Sequence, residues 1–324
     1  MEEIRPNWYR IEIPLPRTPL KYLNSYVITS REKNLIIDTG LNHVACRTAM
    51  REGLRELGVE MDRTDIFITH FHADHFSLVS MLATETTRVF FNRPDAELIE
   101  SWDGINTMVD FSCRHGFPVA VLKKAFENHP GTKFGTEWTP DLKILVDGQT
   151  ITYGDYTFTC VATPGHTLGH MCLYEAAEKI LVAGDHLLID ITPNIQGWLD
   201  QANLLKHYLE SLRKVYALDV DLVLPGHRRL FNDHRGRIDE LLAHHDQRLT
   251  EVRRILSDGP MSAYETASKM TWDIRADNWA AFPPAQQWFA TGEALAHLSY
   301  LEGEGQARRE VNDGKTVFHR VGAP

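Results

Sequence analysis

The sequence predicts an α/β fold of layered sheets and helices, followed by a smaller α+β domain. Three observations carry this. Short β-branched and aromatic runs alternate with helical stretches between residues 34 and 102, and strand–helix–strand order implies parallel pairing with helices layered on a sheet. Further runs end in a Gly or Pro-Gly turn that presents a His or an Asp. Past Leu230 the pattern changes to three helices and a hairpin.

Composition bounds the function. The 324 residues suggest about two domains at roughly 150 residues each. Apolar residues make up 43% and charged residues 24%, which suits a globular protein with a sizeable core. The net charge of −10 disfavours binding a long phosphate backbone without a local basic patch. Cys46, Cys113, Cys160 and Cys172 include no C-x-x-C pair and read as core or near-core thiols of a reducing compartment. Residues 1–6 lack a basic region leading into an apolar one, and no apolar run reaches the length of a membrane span, so a cytoplasmic location with no membrane partner is expected.

The first 40 residues read as a β-meander. Tyr9 to Ile13 alternates before Pro14 and Pro16 interrupt, and Ser25 to Ile28 and Asn34 to Ile37 follow. Asp38 ends the last strand, where it could hydrogen-bond a ligating histidine or cap the next segment. Val44, Met50, Leu54 and Leu57 stand at helical spacing, with Gly58 placed as a C-cap. A strand over 65–69, a helix near 78–82, a strand over 87–91 and a helix from Asp95 come next. From about 101 to 140, aromatics such as Trp102, Phe111, Phe117 and Trp138 follow no clean period, and a helical insertion is expected there. Strands follow near 144–146 and 156–161, then at 179–184 and 221–225, with a helix near Leu204 to Tyr216 before the last.

The chemistry lies at the strand ends. Thr69-His70-Phe71-His72-Ala73-Asp74-His75 follows a buried strand and places three imidazoles and a carboxylate within six positions. Neutral imidazoles and carboxylates converging on one point suit a divalent metal. His166 follows Pro164-Gly165, Asp185 follows Gly184, and His227 follows Pro225-Gly226, each at the carboxyl end of a strand. In layered α/β folds that edge is where ligands bind.

These residues resemble the metallo-β-lactamase superfamily of binuclear hydrolases. His70, His72, Asp74 and His75 stand as H-x-H-x-D-H, and His166, Asp185 and His227 match the later ligands in order and context, over about residues 5–232. The resemblance implies a four-layer αβ/βα sandwich with the site at one edge of its sheets. It implies that His70, His72 and His166 hold one ion, that Asp74, His75 and His227 hold a second, and that Asp185 bridges them. It further implies a metal-bridging hydroxide attacking a small ester, thioester or lactone, with Asp74 as a catalytic ligand that orients the hydroxide or relays its proton. Zinc is the expected metal, with iron or manganese suited to the same N/O donors. Pro164-Gly165-His166-Thr167-x-Gly169-His170 is similar to the glyoxalase II-like branch. His170 is expected to support the ligands or pack behind them. His186 and Arg228 are pocket candidates, Arg228 for an anionic group. The domains expected are 1–232, catalytic with the insertion, and 233–324.

In the last 90 residues, Arg237 to Ser257 is an amphipathic helix with His244, His245 and Arg248 on its expected solvated face. Ser262 and Glu265 have capping-box spacing, Ala285 to Leu301 is a third helix, and Asn312-Asp313-Gly314 turns a hairpin. This order resembles a winged helix. From Asp246 to Pro324 there are nine Lys/Arg against eleven Asp/Glu, net −2, and the helix in the recognition position is apolar and acidic. No nucleic acid is therefore expected, although phosphodiester or RNA cleavage and a DNA-binding regulator are the competing readings. Trp272, Trp279, Phe282, Trp288 and Phe289 are candidates for packing against the catalytic domain or a second subunit of a homodimer, or for walling a small-molecule pocket.

Overall fold

A computed structural model gives the fold and describes residues 1–16, 18–101, 105–127, 130–197 and 202–322; Trp102 of the expected insertion lies outside them. The chain divides into two compact units. The first takes residues Met1–Ser101, Pro130–Pro193 and Ser211–Ile238, and the second takes Trp102–His129, Asn194–Glu210 and Asp239–Pro324.

Two sheets form the first unit. The larger contains β1 (Glu2–Arg5), β2 (Trp8–Pro14), β3 (Tyr22–Ile28), β4 (Asn34–Ile37), β5 (Thr64–Phe67), β6 (Val89–Asn92) and β7 (Leu142–Leu145), in that order. Pairing is antiparallel from β1 to β4 and parallel from β4 to β7. The change falls where helices begin to separate the strands, because a parallel neighbour needs a crossover. The smaller sheet contains β8 (Thr150–Tyr153), β9 (Tyr156–Ala162), β10 (Met171–Glu175), β11 (Ile180–Gly184) and β12 (Leu222–Pro225). Its order is β12-β11-β10-β9-β8, with only β11 and β12 parallel.

Helices α1 (Val44–Glu56), α2 (Ala73–Phe76), α3 (Val79–Leu82) and α4 (Arg93–Glu100) follow β4, β5 and β6. The period-2 geometry of a strand explains why the central strands are apolar throughout. Ile36, Ile66, Val89 and Phe91 pack with Cys46, Met50 and Leu54 of α1. Their neighbours Leu35, Ile37, Phe67 and Phe90 face the other way, towards Phe158, Cys160, Leu173 and Val182 of the second sheet. Trp8 closes the space between the sheets with edge contacts to Tyr156 and Phe158, centroids 5.0 and 5.2 Å away. With both faces buried, the strand register is fixed, and so are the strand ends that carry the site.

The insertion supplies α5 (Ile105–Arg114) and α6 (Val119–Glu127) to the second unit and α7 (Pro130–Lys133) to the first. The residues of α8 (Leu204–Tyr216) and α9 (His234–Ile255) are shared out between the two units, and α10 (Ala263–Lys269), α11 (Pro284–Gly303), β13 (Ala307–Asn312) and β14 (Lys315–Arg320) belong to the second. The Ser262–Glu265 capping box at α10 is formed, and β13 and β14 pair antiparallel around Asp313-Gly314. Leu122 and Ala125 of α6 pack with Trp288 of α11. Among the described residues no helix is long and apolar enough to cross a membrane.

One expected surface is interior. His245 and Arg248 of α9 are buried, and His244 is half-buried. His245 Nδ1 lies 3.2 Å from His297 Nε2 on α11. Arg248 stacks over Trp272 at 4.3 Å, bonds Glu251 and the Thr271 carbonyl, and lies 3.5 Å from Glu293. Periodicity reads polarity as exposure; here His245 Nδ1 and the Arg248 guanidinium reach partners on neighbouring elements, which favours their burial.

Candidate metal centre

The strand ends of the first unit bring all seven predicted ligand side chains together. His70 and His72 lie on the loop after β5, Asp74 and His75 open α2, and His166, Asp185 and His227 follow β9, β11 and β12. Three groups have ligand atoms within 4.8 Å of one another: His70, His72 and His166; His70, His75 and Asp185; and Asp74, His75 and His227. His70 Nε2 and His166 Nε2 each lie 3.0 Å from His72 Nδ1. Asp185 sits between the sets: Oδ1 is 3.5 Å from His75 Nε2, and Oδ2 is 3.6 Å from His166 Nε2 and 3.5 Å from His227 Nε2. Asp74 Oδ2 is 3.4 Å from His227 Nε2.

Hydrogen bonds on the far side of the rings decide which nitrogen faces inward. The Thr69 hydroxyl donates to Asp38 Oδ2 (2.8 Å), so at 3.0 Å it accepts from His70 Nδ1. His75 Nδ1 donates to Asp38 Oδ2 at 2.7 Å, and His227 Nδ1 donates to the Tyr22 carbonyl at 2.9 Å. Each turns its Nε2 towards the centre, as the donor atom available to a metal. His75 Nε2, His227 Nε2 and Asp185 Oδ1 are buried without a hydrogen-bond partner among the described residues. One proton can bridge only one of these two close nitrogen pairs, and a metal ion would satisfy both. The donor set, five imidazoles and two carboxylates with orphaned inward atoms, therefore fits divalent metal ions.

The electrostatics differ across the site. Burial and the neighbouring imidazoles hold His70 well below its ordinary range, and burial with His166 brings His72 to about 3. Burial also depresses His75 and His227, but carboxylates outweigh it: Asp38 and Asp185 carry His75 well above its ordinary range, and Asp185 and Asp74 raise His227. Burial opposes ionisation of Asp74 and Asp185 too, yet His227 and His75 hold both below the usual carboxylate range. One half is thus an all-nitrogen trio in which His70 and His72 resist protonation, and the other mixes carboxylates with imidazoles.

The supporting residues have defined places. Asp38 accepts from the Thr69 amide and hydroxyl and from His75. His170 Nε2 accepts the Asp185 amide at 3.1 Å, which uses the lone pair a metal would need, and its Nδ1 meets Thr163 Oγ1 at 2.8 Å. His186 is fully buried, its ring 6.1 Å from that of His170, and presents no surface to a substrate. Arg228 turns its guanidinium to the Pro19 carbonyl at 2.9 Å. Sequence reasoning missed Asp95, a buried carboxylate bonded to both the His70–His72 loop and the His166 loop. Its only local signal is an acid three residues after Asn92, the N-cap of α4.

Two packed sheets with histidine and aspartate clusters at their strand ends are the architecture of a metal-dependent hydrolase. The chain belongs to the metallo-beta-lactamase superfamily, whose family model matches residues 19–227. A model of the metallo-beta-lactamase-like C-terminal domain matches residues 249–321. The chain is 24% identical over 303 residues to the probable metallo-hydrolase YqjP of Bacillus subtilis (strain 168), covering 88% of this chain and 89% of that protein. It is 26% identical over 225 residues to the acyl-coenzyme A thioesterase MBLAC2 of Homo sapiens, covering 65% and 75%. A metallo-beta-lactamase family protein of Thermus thermophilus superposes with a TM-score of 0.82 at 28% identity, covering 98% of this chain and 100% of that one.

Proposed function

We propose that the protein is a dinuclear, zinc-dependent hydrolase of a small ester, thioester or lactone, acting without a nucleic-acid partner. The observation that carries this is Asp185, whose two oxygens face histidines of both ligand sets at 3.5–3.6 Å. His70, His72 and His166 would hold one ion, Asp74, His75 and His227 the other, and Asp185 would span them. Bound there, two divalent ions would supply an activated water and polarise the scissile carbonyl.

The chain's own residues then have the following tasks. Asp38, the Thr69 hydroxyl and the Tyr22 carbonyl engage Nδ1 of His75, His70 and His227, so Nε2 of each of these three rings is the atom left to face a metal. The His170 imidazole holds the Asp185 backbone and keeps its carboxylate between the two sets. Asp74 is partly exposed at 20% of its side-chain surface and stays ionised, which suits accepting a hydrogen bond from a water and orienting it. The thioesterase named among the relatives supports the thioester member of this substrate class.

The test is a substrate panel of acyl-coenzyme A thioesters, aryl esters, lactones, a phosphodiester and RNA, with metal content measured in parallel. Thioester or ester turnover that is lost on chelation and restored by zinc is expected. His72→Ala or Asp185→Ala retaining full metal content and full turnover would sink the reading, as would turnover confined to RNA.

A further inference from the structure

We propose that Asp95 is a positioning residue for the first ligand trio: its carboxylate clamps the His70–His72 loop to the His166 loop. The inference rests on the metal-centre reading above. Asp95 is fully buried. Its Oδ2 accepts the Phe71 N–H at 3.0 Å and the Thr167 hydroxyl at 2.8 Å, and its Oδ1 accepts the Gly169 N–H at 2.7 Å. Phe71 lies between His70 and His72, and Thr167 directly follows His166. One carboxylate therefore fixes the backbone beside His70, His72 and His166 through the hydrogen bonds of their chain neighbours.

The clamp is itself anchored. Asp95 stands in the first turn of α4, and its amide donates to Asn92 Oδ1 at 3.3 Å. Asn92 ends β6, so the anchor belongs to the sheet rather than to a loop. The seating is close: a Cβ at Gly169 would lie 2.0 Å from Asn92 Oδ1 and 2.5 Å from Asp95 Cγ. The turn after His166 thus rests directly on this carboxylate. Among the described residues Asp95 makes no hydrogen bond to Asp74, His75 or His227 or to their immediate neighbours, so its effect is selective for one half of the centre.

Asp95→Asn keeps the shape and breaks the chemistry. Three donors face the two oxygens, so an amide NH2 in either orientation meets at least one N–H or O–H head-on. Partners that orient metal ligands without binding the metal are worth about 10- to 100-fold in affinity. Zinc titrated into the metal-free protein against a chromophoric chelator reads each equivalent. The expected result is one equivalent weakened about 10- to 100-fold in Asp95→Asn and the other unchanged. In a His227→Ala background, which keeps only the first trio complete, Asp95→Asn should weaken the remaining equivalent; in a His72→Ala background it should not. Thr167→Val, which removes one of the three bonds, should shift the same equivalent by less, and it serves if Asp95→Asn does not fold. Equal weakening of both equivalents with a lowered unfolding midpoint of the metal-free protein, or no change in either, overturns the proposal. A wild-type protein that binds only one equivalent refutes the two-metal reading instead, and Asp95 is then judged on whether its variant weakens that one.

Discussion

Asp38→Asn probes how the fold sets the protonation of a ligand. Asp38 is buried and accepts three hydrogen bonds: Thr69 N to Oδ1 at 2.8 Å, and Thr69 Oγ1 and His75 Nδ1 to Oδ2 at 2.8 and 2.7 Å. Its backbone is in the left-handed region at φ 57°, which Asn tolerates well, so the substitution leaves the turn intact. An Asn side chain has one acceptor end and one donor end. With its NH2 towards His75, the ring must accept at Nδ1 and carry its proton on Nε2, aimed at the metal centre. With its oxygen towards His75, the NH2 meets the Thr69 N–H. Either arrangement costs the second ligand set its geometry or its lone pair. The expected loss is about 10- to 100-fold in affinity for one zinc equivalent, or about 1.4–2.7 kcal/mol. Chelator competition measures the affinity, and 15N chemical shifts of His75 report which ring nitrogen is protonated. Wild-type affinity for both equivalents together with an unchanged His75 tautomer would refute the argument.

Three further outcomes follow from the same geometry. In Gly226→Ala the new Cβ would lie 2.6 Å from Asp185 Oδ1 and 2.8 Å from His75 Cε1, so both ligands must move by several tenths of an ångström. Turnover should fall on the order of 100-fold with far-UV circular dichroism unchanged, and wild-type kinetics would contradict the close approach. Burial holds His297 at about 3 and its partner His245 well below the ordinary histidine range. Between about pH 6.5 and 3 the unfolded chain binds protons that the folded state refuses, so this contribution to stability is intact above pH 6.5 and is lost as pH falls. Between about pH 7.5 and 5.5, urea unfolding of His297→Gln should show about 1.4 kcal/mol less loss than wild type, and equal losses would remove the buried pair as the cause. Dialysis against a chelator should lower the thermal midpoint of the wild-type protein, and zinc should restore it in proportion to ligand excess; an unchanged midpoint would mean that the clustered side chains bind no metal in the folded state.

The sheet and the gathering of His70, His72, Asp74, His75, His166, Asp185 and His227 were legible because their signals are local. A strand shows as a short apolar run, a turn as Gly or Pro, and a side chain placed on that turn is carried to the sheet edge whatever the rest of the chain does. Asp38 is legible for the same reason, standing at the end of a strand, although only the His75 ring 2.7 Å away separates a ligand-orienting role from a capping one. Only the tertiary structure decided which ring nitrogen of each histidine faces the centre, since that depends on partners as distant in sequence as Tyr22 is from His227. It also decided that His170 gives its lone pair to the Asp185 amide. It placed Asp95 under two ligand loops and turned His245 and Arg248 inward. Those outcomes come from packing between remote segments, and a polar side chain carries no mark in the sequence of whether its partner will be water or another part of the chain.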